Sequence, residues 1–470
     1  MDRVLVSAAH KSSGKTMVSL GLCAALVARG HVVQPFKKGP DYIDPLWLAR
    51  ACRRCCLNLD AYLMDDAALE HCFAEGVRGA DLALVEGNKG LHDGLALDGS
   101  NSNAALAHRL GLPVLLVIDA RGMTRGIAPL ILGFQAFDRS IRIGGVILNR
   151  LGGARHEAKL RAVIEHYTDV PVLGAVAEEP QLAVTERHLG LLPCAEVDDA
   201  QARVDAIGRI IAAQVDLERV RALAASAAAG PRPSAVAPAA APPASVRIGI
   251  AQDRAFGFYY ADDLAALRAA GARLVPIDTL HDRELPAVDG LFIGGGFPEA
   301  CMHALEANSA MRSALRQAIE AGLPTYAECG GLMYLSRSIT WQGRTAQMVG
   351  AIPGDAVMHE RPIGRGYVHL EETSAMPWDS TGAGFLRGHE FHHSSLDNLD
   401  PQVRFAYRVR RGHGIDGLHD GVLVHNLLAS YAHLRSAAGS SWVPRFIDFV
   451  RRQRTRLPAA EGVAVAALTD

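Results

Sequence analysis

The 470-residue chain has almost no excess of charge of either sign: 48 Lys and Arg stand against 50 Asp and Glu, a formal net charge of −2. That removes any electrostatic case for nucleic acid or an acidic membrane surface as a partner. No apolar run is long enough to cross a bilayer, and no signal-peptide pattern precedes the first strand. The eight cysteines are scattered, so there is no disulfide framework. Cys52, Cys55 and Cys56 cluster, but no second pair follows at zinc-finger spacing. A reducing, cytoplasmic setting is expected, with no structural metal at the cysteines. No internal repeat is present.

What the chain does have is length and apolar residues. It is too long for one core, and 49% of it is hydrophobic, so burial is ample. An Ala/Pro-rich stretch at 224–245 cannot build a core and reads as a semi-rigid tether. The expected division is 1–223, the linker 224–245, a second domain at 246–440, and a C-terminal helix and tail at 441–470.

The first domain opens on strand, loop and helix. Arg3 to Ala9 is apolar and β-branched, His10 to Thr16 ends in Gly14-Lys15-Thr16, and helical spacing follows from Met17 to a stop at Gly30. This is the context of a phosphate-binding loop, although Ala9 stands where the usual first glycine would be. Backbone N–H groups cradle phosphates, Lys15 reaches the β- and γ-phosphates, and Thr16 holds Mg²⁺. ATP and Mg²⁺ are therefore the expected ligands. A second strand runs from Val32 into Lys37-Lys38-Gly39-Pro40-Asp41-Tyr42-Ile43-Asp44. Its turn is either a solvated loop or, at the ligand end of an open α/β sheet, a place where Asp41 and Asp44 meet Mg²⁺ or substrate. A third strand ends at Glu86, the candidate Mg²⁺ carboxylate, and leads into a glycine loop bearing Asp93. Asp93 is either a substrate or metal contact or an exposed turn carboxylate. Further apolar strands follow near Leu112, Arg142 and Val170, as a sheet buried on both faces requires. Asn149 ends one of them; it reads as a base-recognising side chain or as a helix cap.

The second domain is organised around Leu323 to Leu335: a short strand, a sharp turn at Cys329, and a helix opening on Gly330-Gly331. A cysteine on such a turn is exposed at the sheet edge, with backbone N–H groups aimed where an oxyanion forms. The helix start beside it favours the thiolate. The paired glycines are expected to allow the turn and to leave room for a substrate carbonyl. Gly294-Gly295-Gly296 upstream and His433 downstream complete the order expected for thiol acyl transfer. The oxyanion donors are assigned to Gly295, Gly296 and Gly330. The run Gly388-His389-Glu390-Phe391-His392-His393-Ser394 is read as a strand turn with hydrogen-bonded imidazoles, since it lacks His-Glu-x-x-His spacing.

These residues carry a resemblance. The second half resembles a class I glutamine amidotransferase domain. The chain from the phosphate loop to His433 resembles the cobyrinic acid a,c-diamide synthase family, through GPDYIDP, ERHLGL, GGGFPE, YAECGGLMYL, GHEFHHS and NLLASYAHL. The resemblance implies two α/β domains, each a mostly parallel sheet flanked by helices: a P-loop, dethiobiotin synthetase-like amidoligase, then the amidotransferase. It implies that Cys329 hydrolyses glutamine with His433 as base, and that Asp41, Tyr42 and Asp93 meet substrate. It implies an acceptor that is a tetrapyrrole carboxylate, amidated on its a and c acetates, and a flat aromatic surface for it at Phe256 to Tyr260. The chemistry is coherent. A carboxylate is a poor electrophile, an acyl phosphate a good one, and ammonia from glutamine then gives the amide. Arg435 stands where the family usually has a second His. A sirohydrochlorin or sirohaem acceptor, a cobyric acid synthase, and a regulatory P-loop ATPase with an inactive amidotransferase domain are the alternatives. A homodimer is the working assembly.

Overall fold

The computed structural model describes residues 1–179, 186–187, 190–231, 244–379, 384–437 and 441–455. The chain divides into two compact units, Met1–Ala239 and Ala240–Asp470. Most of the Ala/Pro-rich stretch, residues 232–243, lies outside the described residues. Ala224 and Ala225, read as its beginning, instead end the helix Leu217–Ala225, with Ala224 fully buried. Alanine is the best helix former, so the Leu-Ala-Ala run prolongs the helix.

The first unit is an all-parallel seven-stranded sheet. Its strands are β1 (Asp2–Ala8), β2 (Val33–Lys38), β3 (Leu57–Leu59), β4 (Leu82–Glu86), β5 (Val114–Asp119), β6 (Ile143–Leu151) and β7 (Val172–Ala177), in spatial order 3-2-4-1-5-6-7. The central strands are closed to water on both faces, as their unbroken apolar runs require. Helix α1 (Lys15–Ala28) leaves β1 through Gly14, whose φ of 84° suits glycine. It packs against the helix Ala200–Gln214. A Cβ on Gly21 would fall 2.2 Å from Ile211, and one on Gly208 2.8 Å from Ala24. The helices therefore approach closely because glycines stand at the crossing. ERHLGL contributes two short antiparallel strands, Glu186–Arg187 and Gly190–Leu191, while His188 and Leu189 lie outside the described residues.

The second unit is built on a ten-stranded sheet. Five parallel neighbours come in the order Ala272–Ile277, Val246–Ala251, Gly290–Ile293, Thr325–Glu328 and Leu427–Ser430. Antiparallel strands His419–Val424, Arg404–Arg411, Gly364–Glu372, Leu386–His392 and His433–Leu434 continue it, so this sheet is parallel only in its first half where a mostly parallel one was expected. The helix Trp442–Arg454 closes one face. Its Trp442 lies 4.8 Å from the Tyr326 ring and 5.0 Å from Phe292. Residues 456–470 lie outside the described residues.

Candidate active site

Two clusters of ionisable side chains stand at the carboxyl ends of the strands, one in each unit. In the second unit Thr325–Glu328 ends and the helix Gly330–Leu335 begins with Cys329 between them. Cys329 is buried at the end of a mid-sheet strand rather than exposed at the sheet edge as expected; it takes the unusual backbone, φ 45° and ψ −101°, and its amide donates to Ser430 O at 2.8 Å. A non-glycine residue there is strained, as at a nucleophile elbow. The expected role of the glycines changes accordingly. Neither Gly330 nor Gly331 has a positive φ among the described residues. They serve close approach: a Cβ on Gly330 would lie 2.9 Å from Gly296 N, and one on Gly331 2.2 Å from Ile293 O. The helix start is thus pressed against the strand end Ile293 and the loop Gly294–Gly296, rather than leaving a space.

His433 sits across this turn. Its Nδ1 is 3.2 Å from Glu328 Oε2, and it hydrogen-bonds the Cys329 thiol. Burial lowers the proton affinity of His433, but the hydrogen bonds to Cys329 and Glu328 outweigh it and raise its pKa to about 10. Glu328 is fixed in turn: its Oε1 accepts from Tyr326 Oη at 2.6 Å and from the Leu434 amide at 3.0 Å. Thiol, imidazole and carboxylate form one buried line, the arrangement that orients a base toward a nucleophile. Glu328 was legible only as an acidic neighbour of the cysteine. Gly295 faces the base, since a Cβ there would lie 2.8 Å from His433 Cε1. Gly295–Gly296 also pairs antiparallel with Phe256–Phe258. Gly295, Gly296 and Gly330 are therefore brought together beside Cys329.

The aromatic segment is not a free surface. Phe256, Phe258 and Tyr260 are buried, and Tyr259 Oη accepts the Gly294 amide at 3.0 Å while donating to Ala251 O at 2.6 Å. The segment builds the glycine loop, so the expected macrocycle platform is overturned. The imidazoles of the GHEFHHS run are hydrogen-bonded. His389 meets Tyr260, His392 Nδ1 meets Ser394 O at 2.7 Å, and the His392 ring stacks 3.8 Å from Tyr431. Asp420 is a buried carboxylate accepting the amides of Gly421, Tyr431 and Ala432, which fixes the turn leading to His433.

In the first unit the phosphate loop meets three carboxylates and two lysines. Thr16 Oγ1 donates to Glu86 Oε1 at 2.6 Å and lies 3.3 Å from Asp44 Oδ2. Lys37, the second-last residue of β2, is buried among Asp44 at 2.5 Å, Glu86 at 3.0 Å and Asp41 at 3.7 Å. Burial opposes its charge, but these carboxylates hold its proton well above the ordinary range. The same contacts sort the acids. Burial would raise Asp44, but the Lys37 charge and hydrogen bond keep it low. Burial wins at Glu86 and raises it. At Asp41 burial and the Asp44 charge push the carboxyl up to about 7. Lys15 is lowered by burial and then by Lys37. Lys37 was passed over in the sequence as part of a lysine-rich turn.

Mg²⁺ takes one or two carboxylates, with water and phosphate oxygens completing its shell. Thr16, Asp44 and Glu86 fit it. All three offer hard oxygens, and Glu86 Oε2 is buried without a hydrogen-bond partner. No group of three or more His, Cys, Asp or Glu poised for a metal occurs among the described residues, the cysteine cluster included. Asp41 and Asp93 have local duties. Asp41 Oδ1 accepts the amides of Ile43 and Asp44 at 2.9 and 3.1 Å, starting α2 (Ile43–Cys52); Asp93 Oδ2 accepts Gly90 N at 2.9 Å. Tyr42, nearly buried, stands at the start of α2. Asn149 caps no helix, because Gly153 precedes the helix Ala154–Tyr167. Its Nδ2 donates to Ser13 O at 2.8 Å and fills the space beside Gly14, bracing the phosphate loop. Asn103, which drew no notice in the sequence, is buried and ties Ser7, Asn88 and Gly90 together.

Comparison with known proteins follows the same division. Residues 247–440 match the CobB/CobQ-like glutamine amidotransferase domain, and residues 2–186 match an AAA domain. A cobyrinate a,c-diamide synthase of Magnetococcus marinus is 46% identical over 96% of this chain and 98% of its own. One of Methanosarcina acetivorans is 43% identical over 93% of each. PurLQS from Thermotoga maritima aligns with 44% of this chain and 98% of its own, at 16% identity and a TM-score of 0.35.

Proposed function

The chain belongs to the cobyrinate a,c-diamide synthase family of glutamine-hydrolysing amidoligases, and from that premise we propose that it amidates the a and c acetate carboxylates of a corrin precursor, cobyrinate or hydrogenobyrinate, using ATP and glutamine. The supporting observation is the buried line from Cys329 through His433 to Glu328, on a chain whose other unit sets Lys15, Thr16 and Glu86 around a phosphate loop.

Cys329, its thiol proton passed to His433, attacks the carboxamide carbon of glutamine as a thiolate. The amides of Gly295, Gly296 and Gly330 receive the oxyanion. His433 gives its proton to the leaving nitrogen as the carbon–nitrogen bond breaks, and ammonia departs from a thioester. His433 then takes a proton from water, which attacks the thioester and releases glutamate. Glu328 keeps the imidazole turned toward the sulfur throughout. In the first unit Lys15 holds the β- and γ-phosphates, and Lys37 adds a second buried positive charge beside them. Bound Mg²⁺, held by Thr16, Asp44 and Glu86, supplies charge neutralisation for phosphoryl transfer. The acceptor carboxylate takes the γ-phosphoryl group of ATP, ammonia attacks the acyl carbon and loses a proton, and inorganic phosphate leaves with one of the carboxylate oxygens, giving a primary amide. Asp41, Tyr42 and Asp93 are the proposed acceptor contacts. Asn149 is proposed at the base end of the nucleotide. A cytoplasmic setting is proposed from the scattered cysteines, which form no disulfide among the described residues. No described helix is long and apolar enough to cross a membrane. A homodimer is the proposed assembly, to be read by light scattering.

The test is mass spectrometry of parallel reactions with Mg-ATP, glutamine and cobyrinic acid, hydrogenobyrinic acid, sirohydrochlorin or sirohaem. Each amide lowers the acceptor mass by about one unit, with ADP formed in step. Amidation of a corrin supports the reading. Amidation of sirohydrochlorin or sirohaem alone moves the same chemistry to another acceptor. ATP hydrolysis with no amide on any ring sinks it and favours a regulatory ATPase.

A further inference from the structure

His433 has a companion. It lies on the two-residue strand His433–Leu434, and directly opposite it on Leu386–His392 is His389. The two imidazoles stack, with 4.9 Å between centroids and 16° between planes. Tyr260 Oη is 3.3 Å from the Nδ1 of His389. The Arg435 guanidinium lies 5.0 Å over the Tyr260 ring. Arg435 also pairs with Asp262, through Nε at 3.0 Å and Nη2 at 2.6 Å. His433, His389, Tyr260 and Arg435 are all buried, while Asp262 reaches the surface.

Resting on the reading that Cys329 and His433 hydrolyse glutamine, we infer that His389, Tyr260 and Arg435 are positioning residues that confine the working proton to His433: His389 as an uncharged ring stacked on it, Arg435 as the fixed positive charge that keeps that ring uncharged. Two protonated imidazoles at this separation inside a buried site repel strongly, so the pair carries one proton. Its place is decided by the flanks. His433 faces Cys329 and the Glu328 carboxylate, with Tyr326 behind Glu328. His389 faces Tyr260 and, beyond it, Arg435 with Asp262; Asp263 beside them is taken up by the Ser436 amide and the Trp442 indole. Burial, then His433, then Arg435 hold His389 well below the ordinary range. An uncharged ring face toward an imidazolium is an attractive cation–π contact, and cross-strand pairing fixes its geometry. Residue 435 matters for this reason. A histidine there would titrate, whereas a guanidinium cannot lose its charge.

The test uses the whole chain. Two rates are followed from about pH 5 to about 11: glutamine hydrolysis, and alkylation of Cys329 by iodoacetamide, which needs no glutamine. His389→Ala removes the stacked face, and the alkaline limb of both profiles falls by about one pH unit. His389→Phe keeps a ring face and keeps that limb. Arg435→Met removes the charge that keeps a second proton off the pair, so that proton enters at higher pH and the acid limb rises by about one pH unit. Limbs that stay in place while rates drop evenly at every pH overturn the inference, because that is what a purely structural role gives. Should His389→Ala fail to fold, the Arg435→Met acid limb decides alone: moved, it supports the inference, and unmoved, it overturns it. Wild-type protein that alkylates with the expected limbs yet leaves glutamine intact overturns the glutaminase reading and not the stack.

Discussion

The cysteine site and the phosphate-loop site are both buried and both crowded with ionisable groups, but they are completed differently. At the cysteine, every charge has its partner within the protein: His433 lies between Cys329 and Glu328, and Glu328 is held by Tyr326 and the Leu434 amide. At the phosphate loop Asp41, Asp44 and Glu86 share Lys37, and Glu86 Oε2 is left over. The first site is preorganised by the fold alone. The second is organised by a resident ammonium, and one buried carboxylate oxygen there is left without a hydrogen-bond partner. Thiol attack on a neutral amide develops one negative charge, which fixed backbone amides can meet, while phosphoryl transfer to a carboxylate gathers several and needs added positive charge.

Separating the two sites is the severest test of this contrast. Cys329→Ser should cut glutamine-driven amidation by about 10⁴-fold or more and leave ammonium-driven amidation within about twofold, read by mass spectrometry with each nitrogen source. Loss of both would mean that the sites do not work as separate halves. Glu86→Gln should do the opposite, lowering amidation from either nitrogen source about 100-fold and weakening Mg²⁺ dependence, while glutamine hydrolysis persists. A variant with an unchanged Mg²⁺ titration would remove Glu86 from the metal site.

Glu328→Gln sharpens the first half. It should slow glutamine hydrolysis by about 10- to 100-fold and bring the alkaline limb down from near 10, since Glu328 is one of the groups raising His433. The sign carries over to stability. The native His433 holds its proton to about 10, above the ordinary value of about 6.5. Its contribution is therefore full below about pH 6.5 and is lost as pH rises through about 10. Denaturant titrations of wild type across that window should show the decline, and Glu328→Gln should flatten it. The smallest expected effect is Asn103→Ala in the other unit. Unmaking the ties to Ser7, Asn88 and Gly90 should cost about 1–3 kcal/mol, seen as a lower melting temperature.

Much of this was legible in the sequence because parallel strands and glycine turns leave local marks. The apolar runs ending at Glu86 and Asp119, the Gly14-Lys15-Thr16 loop and the turn at Cys329 lie where their residues predicted. The features that were missed depend on geometry that spacing does not carry. Strand alternation would send Glu328 and Cys329 to opposite faces; the positive φ of Cys329 breaks the alternation and lets both meet His433. Lys37 looks solvated in a lysine-rich turn but belongs to a buried strand. Asn103 and His389 act across long sequence separations that only sheet and loop packing close. The aromatics from Phe256 to Tyr260 misled because a ligand platform and a loop brace share a composition.

The amide of Cys329 is bonded to Ser430, three residues before His433, and the strands that carry them run side by side in register. Cys329 and His433 thus follow the ends of two neighbouring strands, the base through the turn that Asp420 holds. Bending or sliding the sheet carries both together and preserves the interval between them.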